Sequence, residues 1–143
     1  MIDAHLFGGE EQMKQKPHIE FMPIDMIDGW ERPEGYKYGF WQKILASDID
    51  RTNKTGSRSR LLRIDSGAFS EQPFLHDHWE EVYLAAGDLI VGNDANGKGG
   101  EQFEAPTYAC RPPGVSHGPF KSERGCLLFE LHYYLPETKD EPD

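Results

Sequence analysis

The sequence predicts an all-β protein, a sandwich or barrel of short strands, and three observations lead there. Apolar residues come in bursts about ten residues apart, with turn residues between them. The 143-residue chain carries 15 glycines and 10 prolines, the punctuation that many strand reversals need. No 3.6-residue pattern demands a helix longer than about two turns. With 37% hydrophobic and 12% aromatic residues, the length suits one domain with a real core and is short for two.

Residues 1–20 are polar and aperiodic and are expected to form a flexible or partner-packing tail, with a single domain over 21–143. Short apolar bursts begin at "PHIEFMPID". "YGFWQKILAS" (38–47) and "SRLLRID" (59–65) read as strands, and "DIDRTNKTG" between them as a hairpin loop. "EEVYLAAGDLIVG" reads as two strands broken by a turn at Gly87-Asp88, and "NDANGKGGEQ" (93–102) as a long loop. "TYACRPPGVSHGPF" supplies a strand and a Pro-Pro-Gly turn. "GCLLFELHYYL" (125–135) is the most strand-like stretch, and its Leu127, Phe129, Leu131 and Tyr133 face is expected to meet the core.

A net charge of −10 opposes a phosphate backbone, so nucleic acid is not an expected partner; the short "RSRLLR" run is too small to reverse that. No apolar run has the length of a signal peptide or a membrane span, so a soluble, cytoplasmic protein without a membrane partner is expected. Cys110 and Cys126 are too far apart for a CxxC motif and are expected to be free core thiols.

The chemistry concentrates in "HDHWEE" (76–81). On an extended strand, residues two apart share a face about 6.6 to 7 Å apart, so His76 and His78 can address one ion while Asp77 points away. The same parity turns Glu80 inward and Glu81 outward. Imidazoles with a carboxylate suit Zn, Fe, Mn, Ni or Cu at about 2 to 2.2 Å. His117, behind the rigid Pro112-Pro113-Gly114 turn, could supply a third imidazole. His5 and His18, in the polar tail, are expected at the surface, and His132 in a structural or rim role.

"HDHWEEVYLAAGDLIVG" and "RPPGVSHGPFKSERGCLLFEL" together resemble the two motifs of the cupin superfamily: HxH, Glu and Gly, then PxGxxH. Pro112, Pro113, Gly114, His117, Pro119, Ser122, Gly125 and Cys126 are similar in spacing to the ChrR-like subfamily, which also contains acetylacetone dioxygenase-like proteins. The resemblance covers roughly residues 36–135. It implies an RmlC-like jelly-roll barrel of two antiparallel sheets, with a divalent transition-metal ion at His76, His78, His117 and Glu80. The link from His78 to Glu80 is shorter than the family pattern, which keeps Glu81, or three histidines alone, as alternatives. Residues 1–35 have neither the cysteines nor the helical pattern of the zinc-binding domain that anti-sigma relatives carry, so that role is not expected.

The implied activity is that of a non-haem Fe(II)-type dioxygenase on a small oxygenated substrate such as a β-dicarbonyl; Zn, Ni or Mn could occupy the site in isolated protein. The alternatives are a metal-dependent small-molecule-binding or sensor protein without turnover, and a metal-free barrel. Trp41, Phe74, Trp79, Tyr83, Phe120 and Phe129 are candidate pocket walls, or barrel core, and Arg60, Arg63 and Arg111 could meet an anionic substrate. Sheet edges that need covering, and the apolar "IEFMPIDMI" ahead of the barrel, predict a homodimer.

Overall fold

β1 (Phe40–Ser47) and β2 (Ser57–Ile64) form an antiparallel hairpin across the predicted loop in a computed structural model that describes residues 15–136. The loop is held by its own aspartates. Asp48 Oδ1 accepts the Ser57 amide at 2.7 Å, and Asp50 Oδ1 accepts the amides of Thr52 and Asn53, both at 3.0 Å. Gly56 has a φ of 81°, and a Cβ there would stand 2.2 Å from the Asp48 carbonyl oxygen, so only glycine fits.

The remaining strands are β3 (Trp79–Val91), β4 (Glu101–Glu104), β5 (Thr107–Arg111), β6 (Phe120–Lys121) and β7 (Cys126–Tyr133). All pairings are antiparallel, and β3 belongs to two sheets. Its first part lies between β7 and β5, giving the order β1-β2-β7-β3-β5; its last residues, Asp88–Val91, pair with β4 and β6. This is the all-β, two-sheet architecture. No helix occurs among the described residues, and none is long and apolar enough to cross a membrane.

Gly87-Asp88 is not a turn, contrary to the sequence expectation. β3 runs straight through it, with a register shift between Leu84 and Ala86. Gly87 is required because the chains cross closely: its φ is 82°, and a Cβ would lie 2.0 Å from the Gly125 carbonyl oxygen. Fully buried Asp88 then caps the approach to β7, accepting the amides of Glu123 and Arg124 at 2.9 and 2.8 Å and the Ser122 hydroxyl at 3.2 Å. Burial pushes its carboxyl up, but these amides pull harder and leave it below the ordinary carboxylate value.

β7 presents the opposite face from the one expected. Cys126, Leu128, Glu130 and His132 are buried, and Phe129 is exposed. The inner face is set by the partners: Arg58, Arg60, Leu62 and Ile64 of β2 stand opposite His132, Glu130, Leu128 and Cys126. Phe40, Leu62, Ile64, Val82, Leu84, Leu89, Cys126 and Leu128 make the core. Cys126 is thus the buried thiol expected, whereas Cys110, on the outer face of β5, is exposed. The tail expected over 1–20 falls outside the described residues as far as residue 14, and residues 15–20 are exposed.

Candidate metal centre

The two histidine-bearing segments meet through their backbones. Phe74 and His117 exchange amide-to-carbonyl hydrogen bonds of 2.7 and 2.9 Å, and the Gly114 amide donates to the His76 carbonyl at 2.9 Å. The Pro-Pro-Gly turn ends at Gly114 with a φ of 80°, which brings the chain back beside residues 74–76. β3 delivers Glu80 from the wall, in register with His132 of β7 and Arg111 of β5.

The side chains converge. The His76 and His78 rings stack at 4.6 Å, His76 and His117 lie 5.0 Å apart, and His78 lies 4.7 Å from His132. Glu80, 4% exposed, sits among them. Its Oε2 is 3.9 Å from His76 Nε2 and its Oε1 3.7 Å from His117 Nε2, separations that donors around a shared ion would have. Glu81 turns outward, where the hydroxyls of Tyr108 and Tyr133 bind its carboxylate.

Hydrogen bonds at the far ring nitrogens decide which lone pairs are free. His78 Nδ1 lies 3.0 Å from the Trp79 carbonyl and His117 Nδ1 3.3 Å from the Val115 carbonyl. A carbonyl only accepts, so each Nδ1 carries the hydrogen and each Nε2 offers a lone pair. Backbone orientation of this kind is what histidine ligands ordinarily have. His78 Nε2 is buried with no hydrogen-bond partner among the described residues, a cost that a bound ion would remove. Burial also lowers the pKa of His76, to about 4, and those of His78 and His117, favouring the neutral rings that a metal requires.

His132 is set the other way. Arg58 donates to its Nδ1 from Nε at 3.2 Å and from Nη2 at 2.8 Å, and a guanidinium cannot accept. The ring hydrogen therefore sits on Nε2, 3.1 Å from Glu80 Oε2 and 3.3 Å from Glu130 Oε1. Arg111 Nη1 donates to Glu80 Oε1 at 2.7 Å, whereas His132 Nε2 lies close to Oε2 without a hydrogen bond to it. Burial and Glu130 push the Glu80 carboxyl up, while His132 and His117 pull it down and prevail. Behind it, Arg60 binds Glu130 at 2.7 Å, Gln42 at 2.7 Å and the Tyr36 hydroxyl at 3.2 Å. Burial raises the Tyr36 pKa to about 12, and Arg60 holds Glu130 well below the ordinary range against its burial.

Two clusters of donor atoms could hold a metal, His76 with Glu80 and His117, and Glu80 with Glu130 and His132; the predicted ligand His78 belongs to neither, although its ring stacks on His76 at 4.6 Å. Of the candidate pocket walls, the structure brings Phe120 and Phe74 to this cluster, with Phe120 and His117 rings 6.0 Å apart. It places the others elsewhere. Trp41 bonds Asp65, Arg63 packs over Trp30, Trp79 stacks on Tyr133, and Tyr83 and Phe129 face outward. Strand parity excludes these five from the interior, because each alternates with a buried neighbour. Arg60 and Arg111 are engaged with Glu130 and Glu80. His18 is exposed and pairs with Glu20. The inward roles of His132, Glu130 and Arg58 were not expected; the signal was "ELH", two ligand-type residues on one strand face.

Inside the barrel, the space lined by Tyr36, Glu80, Arg111, His117, Phe120 and Glu130 measures only about 20 Å³. Outside it, an open depression of about 610 Å³ is floored by His76 and His78.

No family model matches the sequence, and no curated protein does. Solved structures do. An RmlC-like cupin from Shewanella frigidimarina NCIMB 400 is similar at a TM-score of 0.59 and 19% identity, over 86% of this chain and 96% of that one. The fold is the RmlC-like cupin jelly roll. KdgF from Halomonas sp. shares it at a TM-score of 0.57 and 19% identity, over 83% of this chain and 97% of its own. An acetylacetone dioxygenase from Acinetobacter johnsonii does so at a TM-score of 0.55 and 19% identity, over 83% and 78%. At such identity the cupin likeness concerns the fold alone.

Proposed function

We propose that the chain binds one divalent transition-metal ion through His76, His78, His117 and Glu80 and acts as a non-haem Fe(II)-type dioxygenase on a small oxygenated substrate, such as a β-dicarbonyl. The observation that carries this is the convergence of His76 and His117 Nε2 on the buried Glu80 carboxylate at 3.9 and 3.7 Å, with His78 beside them, its Nδ1 held by a backbone carbonyl and its Nε2 unpartnered among the described residues. Held by these residues, an Fe(II) ion would supply redox chemistry toward oxygen. Glu80 would offset part of the charge of such an ion, with Phe74 and Phe120 packed beside the cluster and Arg111 fixing the carboxylate's orientation. The acetylacetone dioxygenase among the similar structures supports the choice of substrate.

Anaerobic loading with Fe(II), followed by acetylacetone and oxygen electrode measurement, tests the activity. Substrate-dependent oxygen uptake that is lost in His76→Ala supports it. A fully loaded protein that takes up none supports a second reading, a non-catalytic metal-dependent binding protein, which the narrow interior also favours.

We propose further that the chain is a homodimer. Ile19, Phe21, Met22, Ile24, Met26 and Ile27 are exposed on a segment pinned through Lys16 to Ser57 and through Trp30 against Arg63 and Lys43. Tyr83, Tyr108 and Phe129 are exposed on the outer sheet face, a surface such a segment of a second copy would cover. Sedimentation at micromolar concentration is expected to give twice the 16.3 kDa chain mass.

A further inference from the structure

We propose that the depression above His76 and His78 recognises the carboxylate of an anionic substrate, read chiefly by Arg51 with Lys54 beside it. This rests on the metal-centre reading above and specifies its substrate class.

Space decides where a substrate can lie. The interior beside Glu80 and His117, about 20 Å³, is the size of one water or ion. An apolar cavity of about 170 Å³ adjoins it behind Arg111 but is lined by no histidine. The roomiest space that touches the histidines is the outer depression of about 610 Å³, lined by Arg51, Lys54, Leu75, His76, Asp77, His78, Pro113 and Gly114. Its charges are two cations and one acid, in a chain whose net charge is −10. Asp77 is already engaged: the Tyr134 hydroxyl donates to Oδ1 at 2.9 Å, and Lys54 Nζ lies 3.9 Å from Oδ2. Arg51 makes no ion pair or hydrogen bond among the described residues.

The hairpin that carries both cations is rigid. Asp50 and Asp48 bind its amides, and Asp50 and Thr55 pair backbone to backbone at 2.8 and 3.1 Å. Lys54 has a φ of 55°, the one non-glycine residue with positive φ among the described residues. Glycine adopts that conformation freely and lysine at a cost. A turn optimised for stability alone would not place lysine there, and the strain is accounted for if the ammonium is needed at the mouth. Arginine's planar fork matches a carboxylate. A ligand with an oxygen-chelating end and a carboxylate arm would span from the histidines to Arg51.

Succinylacetone, a β-diketone with a carboxylate arm, and its methyl ester form a matched probe pair. Calorimetric titration of the Ni(II)-loaded chain is expected to give about fivefold tighter binding of the acid, the scale of a partly exposed ion pair. The preference should weaken with added salt. Arg51→Gln should abolish it without changing nickel content or affinity for the ester, and Arg51→Lys should restore part of it. Equal affinities in the wild type, or a preference unchanged in Arg51→Gln, would overturn the proposal while leaving the metal centre intact. A chain that takes up no nickel overturns both.

Discussion

The two ends of the barrel interior are built from the same strands and differ completely in character. Along β2, β7 and β3 the paired rows run Arg58, His132 and Glu80; then Arg60, Glu130 and Val82; then Leu62, Leu128 and Leu84. The change from charged to apolar happens within about two residues on all three strands. At the apolar end each buried side chain contributes about 1.5–3 kcal/mol by leaving water. At the charged end desolvation works against folding, and the charges persist because each has a partner: Arg60 with Glu130, Arg111 with Glu80, Arg58 with His132. One end stabilises the barrel, and the other spends that stability on a polar cluster around three histidines.

The largest effect should come from unpairing the charged end. Arg60→Met or Glu130→Leu alone leaves a buried charge without its partner and should lower the unfolding free energy by about 3–5 kcal/mol in urea titrations. The double variant should return to within about 1 kcal/mol of wild type. A double as unstable as the singles would mean that the pair does more than neutralise itself.

Leu128→Ala at the apolar end should cost about 3 kcal/mol through the cavity it leaves, with metal stoichiometry unchanged. Asp88→Asn replaces an acceptor of two backbone amides and should cost about 2 kcal/mol near neutral pH. The Asp88 carboxyl is held below its ordinary value of 3.8, so its contribution is complete above that pH and is lost as pH falls through the folded value. The gap between wild type and Asp88→Asn should therefore close in acid. The smallest effect belongs to the choice between neighbours. Glu80→Gln should weaken metal affinity about tenfold in chelator competition, whereas Glu81→Gln, on the outer face, should match wild type.

Much of both ends was legible in the sequence, for different reasons. The hairpin at 48–56 and the strands around it follow from turn chemistry and apolar patterning, and the meeting of "HDHWEE" with "RPPGVSH" is what the cupin resemblance implied. The outward turn of Glu81 follows from strand parity. The inner face of β7 was not legible, because both faces are largely apolar and the more apolar one turns out. Choosing correctly requires knowing that β7 pairs with β2, whose Arg58 and Arg60 offer partners to His132 and Glu130 some 70 residues away. Gly87-Asp88 misleads for a related reason. A glycine at positive φ marks a turn or a close crossing of chains, and only the Gly125 carbonyl beside it distinguishes them. The aromatic side chains at positions 41, 79, 83 and 129 suggested a pocket by type, and strand parity places them outside it.

The account stands most directly on metal stoichiometry. Wild type, His78→Ala/His117→Ala and His132→Gln would each be loaded with Ni(II), passed through gel filtration and analysed for bound metal. The three-histidine centre predicts about one ion per chain in wild type. It predicts the same in His132→Gln, because His132 presents a hydrogen rather than a lone pair to Glu80, and near zero in the double variant. A double variant that keeps its full equivalent, or a His132→Gln protein that loses it, would contradict the account and move the site to the Glu80, Glu130 and His132 cluster.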